Sequence, residues 1–149
     1  QNKLLPGENG LLKKILYGGE SGLSYTANMG LSLLRMFAGF SLAFTHGIHK
    51  IPPSEQFVAG TANLGFPLPV LFSWAAAMSE FLGGIFLAVG LFTRVSSFFV
   101  GFTMLVAIVG VHGADPYQKK ELAFVYLLIA AAYMIKGSGD WSIDGFLRK

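Results

Sequence analysis

Glu80 lies near the middle of an apolar run, Val70–Phe92, that reads VLFSWAAAMSEFLGGIFLAVGLF. The run is long enough to cross a bilayer, which puts the carboxylate about halfway through. A charge at that depth is costly on a lipid-facing surface, so it calls for protein or water around it and a partner beside it. Arg35, roughly 10 Å into an earlier apolar run at 1.5 Å per residue, is the natural intramembrane partner. Arg94 falls on nearly the same face as Glu80 but about four turns further along, and belongs at the interface. The plainest role for an Arg35–Glu80 pair is a buried salt bridge that fixes helix register.

A second set of polar residues gathers at the far end of the same helices. His46 follows Arg35 by three helical turns on one stripe, and His49 and Lys50 come next. His112 closes the third apolar run at that level, and Glu121 opens the fourth. The expected buried polar cluster is therefore Arg35, His46, Glu80, His112 and Glu121, with His46, His49, His112 and Glu121 as candidate ligands or proton relay. Neutral imidazole and carboxylate are ligands for zinc, non-haem iron or copper, and paired histidines can hold haem. The same groups suit proton transfer beside a quinone, because histidine titrates near neutral pH. Spacing does not choose between a quinone and a metal ion: His46-x-x-His49 is not a zincin pattern, and no HExxH or ExxH pair is present. Each histidine alone also reads as an interfacial or capping residue. No residue is assigned a catalytic role.

Four elements must position these groups. The apolar runs Met29–Phe44, Val70–Phe92, Val95–Val111 and Leu122–Ile135 account for most of the chain, and polar extensions bring the shorter two to spanning length. The first helix is expected to begin near Asn28 as N-cap and to stop before Pro52-Pro53. Ser54–Asn63 has the pattern of a short amphipathic helix capped by Ser54, and Pro69 suits the first turn of the second span. The short Thr93-Arg94 connection makes the second and third spans an antiparallel hairpin. The fourth runs from about Tyr117 to Lys136, after the Asp115-Pro116 turn. Small residues recur every four positions as Ala75, Ser79, Gly83 and as Ala76, Glu80, Gly84, so the face that carries Glu80 is built for close helix approach in lipid. The fold expected is all-α: a four-helix transmembrane bundle, residues 28–149, with an interfacial N-terminal extension, residues 1–27, and a short amphipathic helix between the first and second spans. In the extension, LLKKIL (Leu11–Leu16) suits a membrane surface, and no signal-peptide order is visible. Trp141 suits the headgroup level in the tail.

Of the 149 residues, 53% are hydrophobic and 13% charged, far from the composition of a soluble domain. The basic residues sit at helix ends, so the formal charge of +3 does not point to nucleic acid. The absence of Cys excludes disulfides, thiolate metal sites, Cys-ligated iron–sulfur clusters and a thiol nucleophile. With four crossings, one side carries seven cations (Lys3, Lys13, Lys14, Arg94, Lys136, Arg148, Lys149) and the other three (Lys50, Lys119, Lys120). The positive-inside rule then places both termini in the cytoplasm. No internal repeat offers the paired units of an alternating-access transporter.

These residues resemble the DoxX family of small four-helix membrane proteins. The resemblance rests on LLRMFAGFSLAFTHGIHK (Leu33–Lys50), LGFPLP (Leu64–Pro69), SEFLGGIFLAVGLFTR (Ser79–Arg94), His112, Glu121 and WSID (Trp141–Asp144), in order over about residues 30–145. Residues 1–27 lie outside it and suit a partner contact, and His49 falls where the family often has Gln. The family takes its name from a subunit of a thiosulfate:quinone oxidoreductase of an archaeal respiratory chain. The resemblance implies a redox or quinone-linked role and identifies no catalytic residue; the small size and the lack of a complete catalytic motif favour an accessory subunit of a respiratory or redox-linked complex in the cytoplasmic membrane, with quinone near the buried cluster and catalysis by the chain itself left open. The alternatives left open are a purely structural or assembly subunit, a homo-oligomer, and a copper- or zinc-handling protein.

Overall fold

The computed structural model describes residues 8–149, and residues 1–7 of the N-terminal extension lie outside the described residues. The described chain is all-helical: α1 (Glu8–Tyr17), α2 (Tyr25–Ser41), α3 (Glu55–Asn63), α4 (Pro69–Val89), α5 (Thr93–Val106), α6 (Tyr117–Lys136) and α7 (Ile143–Arg148). Two long helices continue beyond regular α geometry. A π-helical stretch, Leu42–Gly47, and a 3₁₀ turn, Ile48–Lys50, extend α2, while a π-helical stretch, Ala107–Val111, extends α5.

Among the described residues, three helices are long and apolar enough to cross a membrane: Tyr25–Lys50, Pro69–Val89 and Thr93–Val111, of 26, 21 and 19 residues. At 1.5 Å per residue these reach roughly 28 to 39 Å, against a hydrocarbon core of about 30 Å. α6 is 20 residues long, but its first turns hold Lys119, Lys120 and Glu121 and it ends on Lys136, which leaves a shorter apolar stretch than in the other three. The expected four-span arrangement is thus matched by three such helices plus one long helix that is less apolar.

Side-chain size explains the packing. α2 and α4 run antiparallel at very close approach: a Cβ placed on Gly39 would lie 2.4 Å from the Gly84 carbonyl oxygen and 2.6 Å from the Ala88 nitrogen. Further along, Gly47 meets the backbone of Glu80 and Phe81 in the same way. The Gly39-Ala43-Gly47 stripe of α2 is therefore the counterpart of the Gly84 stripe of α4, while Gly83 turns toward Val100 of α5. α5 packs along α6, and Ala38, Leu42, Val100, Met104, Tyr126 and Ala130 form the buried core between α2, α5 and α6.

Several local expectations are met. Ser54 Oγ accepts from the Phe57 N–H at the start of α3, and Pro69 occupies the first turn of α4. α4 stops at Gly90, whose left-handed φ of 72° lets the Leu91 N–H reach the Phe86 carbonyl at 2.9 Å, the six-to-one bond of a Schellman turn. The expected N-cap at Asn28 is corrected. Helix α2 begins a turn earlier with Ser24 as the cap, its Oγ accepting from the Ala27 N–H, and the side chain of Asn28 bonds elsewhere.

Candidate functional site

The antiparallel register decides which cation reaches Glu80. Arg35 is level with Gly90, because a Cβ there would collide with its guanidinium, whereas Glu80 is level with Gly47. Glu80 and Gly90 are ten residues apart on one helix, about 15 Å along the axis, so the expected Arg35–Glu80 pair does not form. Lys50, one turn beyond Gly47, takes that place: its Nζ lies 2.5 Å from Glu80 Oε1, with Glu80 only 2% exposed. The same ammonium stands 5.7 Å from the centre of the Phe57 ring.

The ion pair lines a cavity of about 770 Å³ between α3, α4 and the C-terminal half of α5 with its π-helical extension, within the size range of small-molecule sites. Phe57 and Leu64 on α3, Phe72 on α4, and Phe99 and Phe102 on α5 give it apolar walls. His49, Lys50, Glu80 and His112 supply the ionisable groups. Two hydroxyl pairs tie the walls together: Ser73 to Thr61 at 2.9 Å, joining α4 to α3, and Thr103 to Ser79 at 3.0 Å, joining α5 to α4. Leu64, Phe99, Phe102 and Val111 also face outward as exposed residues, so the lining is continuous with the apolar outer surface.

Both π-helical stretches end at this site. The His112 N–H bonds the Ala107 carbonyl at 2.9 Å, five residues back, and Ile48 does likewise to Ala43. Each wide turn shifts the following residues by about one position, or about 100°. Lys50 follows the first shift and His112 the second, and both face the cavity.

The remaining candidates disperse. His46 is half-buried against Tyr126 of α6, ring centres 6.2 Å apart, and is absent from the cavity wall. His112 Nδ1 pairs with Asp115 Oδ2 at 2.8 Å in the loop before α6. That bond, helped by the charge of Lys119, holds the Asp115 carboxyl below its usual range against a smaller opposing effect of desolvation. Glu121 is exposed on α6 and takes no part in the cluster. Arg35, His46, Glu80, His112 and Glu121 therefore do not form one group. Among the described residues, no three His, Asp or Glu side chains gather in a way that could hold a metal ion.

The opposite end of the helices carries a polar network that sequence reasoning missed. Arg35, 2% exposed, donates to the carbonyls of Ser138 at 3.1 Å and Trp141 at 2.9 Å. Asp140 accepts from the backbone N–H groups of Gly22 and Leu23 and from the Asn28 amide, while its own N–H returns to Asn28 Oδ1. Asp144 accepts from the Phe92 and Thr93 N–H groups, both at 2.8 Å, and so caps α5 where Phe92 adopts a left-handed φ of 47°. Arg148 bridges Gly139 and the Tyr17 carbonyl at the end of α1. The signal was present in GSGDWSID: glycines for tight turns, with acids spaced to meet backbone donors.

A helical chain with several spanning segments, a close-packed glycine seam and a buried ion pair beside an apolar cavity defines a multi-pass membrane protein of the bilayer interior. The DoxX family profile matches residues 30–113, more than half of the chain, and the protein belongs to that family. It is 28% identical over 122 residues to a Bacillus subtilis (strain 168) protein named "Putative oxidoreductase CatD", covering 81% of this chain and 89% of that one. No solved structure matches it. The lipid bilayer is its environment.

Proposed function

We propose that the protein is an accessory subunit of a redox-linked complex in the cytoplasmic membrane, and that its cavity holds a quinone-class ligand. The observation that carries this reading is the 770 Å³ aromatic-walled space with the Lys50–Glu80 pair on its wall. The residues fit such a group. Phe57, Phe99 and Phe102 provide flat apolar surface for a ring, Lys50 offers N–H donors to a ring oxygen, and Glu80 offers an acceptor. A bound quinone would contribute reversible two-electron, two-proton chemistry. The outward-facing Leu64, Phe102 and Val111 suit a molecule that arrives through the hydrocarbon layer.

In this reading α6 makes the fourth crossing, residues 28–149 form one membrane domain, and residues 1–27 are an interfacial extension. Support for the even number of crossings comes from the Arg148–Tyr17 bond, which holds the described ends of the chain together. The bias of seven cations to three then puts both ends in the cytoplasm. The natural sequence lacks Cys, so single cysteines at Lys149 and Lys119 give a clean topology assay. A membrane-impermeant thiol reagent should label the second from outside spheroplasts and the first only after lysis. Labelling of both from one side removes the four-span arrangement.

The ligand and the partner are tested together by gentle purification from native membranes. Quinone near one per protein, strongly depleted by Lys50→Gln, and co-purifying redox subunits are the expected result. Protein that stays quinone-free in quinone-rich membranes defeats the ligand, and protein recovered alone defeats the accessory role.

A further inference from the structure

We infer that the cavity has two mouths, one to lipid between α3 and α5 and one to water at the corner where α2 meets α3, so that a lipid-borne ligand keeps its polar head in reach of water at Lys50. Use of the site by a quinone-class ligand rests on the reading above; the water mouth itself does not. Gly47 packs against the backbone of Glu80 and Phe81, and α2 with its extension ends one turn further on at Lys50. From Glu80 back to its start at Pro69, α4 runs on for about 16 Å. Over that length the short helix α3 stands where a full helix would, and the cavity is the space it leaves.

A cation held at that depth calls for water or a partner on each of its open sides. Lys50 Nζ is fixed at Glu80 Oε1, so the side chain does not stretch out to the surface. The bond to Glu80 occupies part of a three-donor ammonium, and the Phe57 ring covers another side. Even so, 37% of the Lys50 side chain is exposed, against 3% for Glu80. Acyl chains accept no hydrogen bond, so the open side of the ammonium is wetted. The way to the surface is polar: His49, Ser54 and Gln56 line the cavity and are all exposed. On the other flank Leu64, Phe99, Phe102 and Val111 are exposed apolar residues, as a hydrocarbon opening requires. A quinone or quinol entering there has its ring oxygens at Lys50 and its tail in lipid. Any proton it takes up or gives off is exchanged with the aqueous phase on the α3 side.

Because the sequence lacks Cys, cysteine accessibility reads both mouths in the full-length protein in spheroplasts. Ala76→Cys reports from the α4 wall of the cavity, and Phe98→Cys from the exposed outer surface of α5. A charged, membrane-impermeant methanethiosulfonate should label Ala76→Cys at least about ten-fold faster than Phe98→Cys, because hydrocarbon excludes the charge. It should do so from the side that labels Lys119→Cys. Adding Gln56→Trp, which fills the corner, should abolish most of that labelling. Equal rates at positions 76 and 98 overturn the water mouth, and undiminished labelling with Gln56→Trp overturns its assignment to the α2–α3 corner. Decylubiquinone should protect Ala76→Cys. Fast labelling that decylubiquinone leaves untouched defeats the quinone-class reading while the water mouth stands. Should Ala76→Cys not fold, Val106→Cys on the α5 wall gives the same comparison.

Discussion

At the end of the molecule that holds the described termini, acids and a buried cation bind backbone across the fold: Asp140 meets Gly22, Leu23 and Asn28, Asp144 meets Phe92 and Thr93, and Arg35 meets Ser138 and Trp141. At the far end, two helices loosen into π turns, and a short helix tied to α4 by a hydroxyl pair helps to wall an apolar cavity. The contrast separates tasks. Dense satisfaction of buried donors and acceptors specifies one arrangement. Wide turns are tolerated where a site must stay open to another molecule.

The largest test of this contrast removes the α5 cap. Asp144→Ala leaves two backbone donors without their acceptor, which should cost roughly 2 to 5 kcal/mol and lower the unfolding midpoint in detergent followed by circular dichroism. Asp144→Asn should recover about half of that loss. An unchanged midpoint for the alanine variant would mean the tail network is ornamental. Next is Gly39→Ala, whose added methyl meets α4 backbone on two sides. It should cost about 1–3 kcal/mol and should be repaired by no change at the cavity end.

A pH titration probes the same clasp more gently. The Asn28 amide, followed by the Leu23 and Gly22 N–H groups and the charge of Arg148, holds the Asp140 carboxyl below its usual range in spite of desolvation. Its stabilising contribution is therefore complete above about pH 4 and is lost as pH falls through the lower folded-state value. The unfolding midpoint should decline on acidification in the wild-type protein and decline less in Asp140→Asn. At the other end, Ala76→Leu places bulk inside the cavity rather than into backbone. Stability should change by no more than about 1 kcal/mol while quinol binding disappears; a Gly39-sized penalty would mean that end is packed like a core. Smallest of all, Glu121→Gln alters an exposed side chain and should stay within about 0.5 kcal/mol.

The comparison also marks what the residues themselves disclosed. Helix positions followed from apolar runs and stop signals, so Pro69, Ser54 and the Tyr117–Lys136 limits of α6 were legible. Close approach of α2 and α4 was legible in the Gly84 stripe, although its counterpart Gly39-Ala43-Gly47 was overlooked. The partner of Glu80 was not legible, because matching two charges by depth requires the register of antiparallel helices, and that register is set by which glycines touch. The π turns were hidden for a related reason. They rotate Lys50 and His112 relative to a regular helix, and no residue type announces a five-residue hydrogen bond. The tail read as an interfacial anchor because WSID shows an aromatic to the eye, while Asp140 accepts from backbone groups 118 and 117 residues away in sequence and Asp144 from groups 52 and 51 residues away.

The pairing of Arg35 with carbonyls at 138 and 141 also bears on how the protein is made. Ribosomes deliver the chain from the amino end, so the first span leaves the exit tunnel with a guanidinium whose acceptors have not yet been synthesised. Until the closing residues emerge, that cation must stay hydrated or borrow lipid phosphates, and the opening helix cannot settle to its final depth. A copy terminated before residue 138 would carry this defect permanently, its buried guanidinium deprived of both carbonyls.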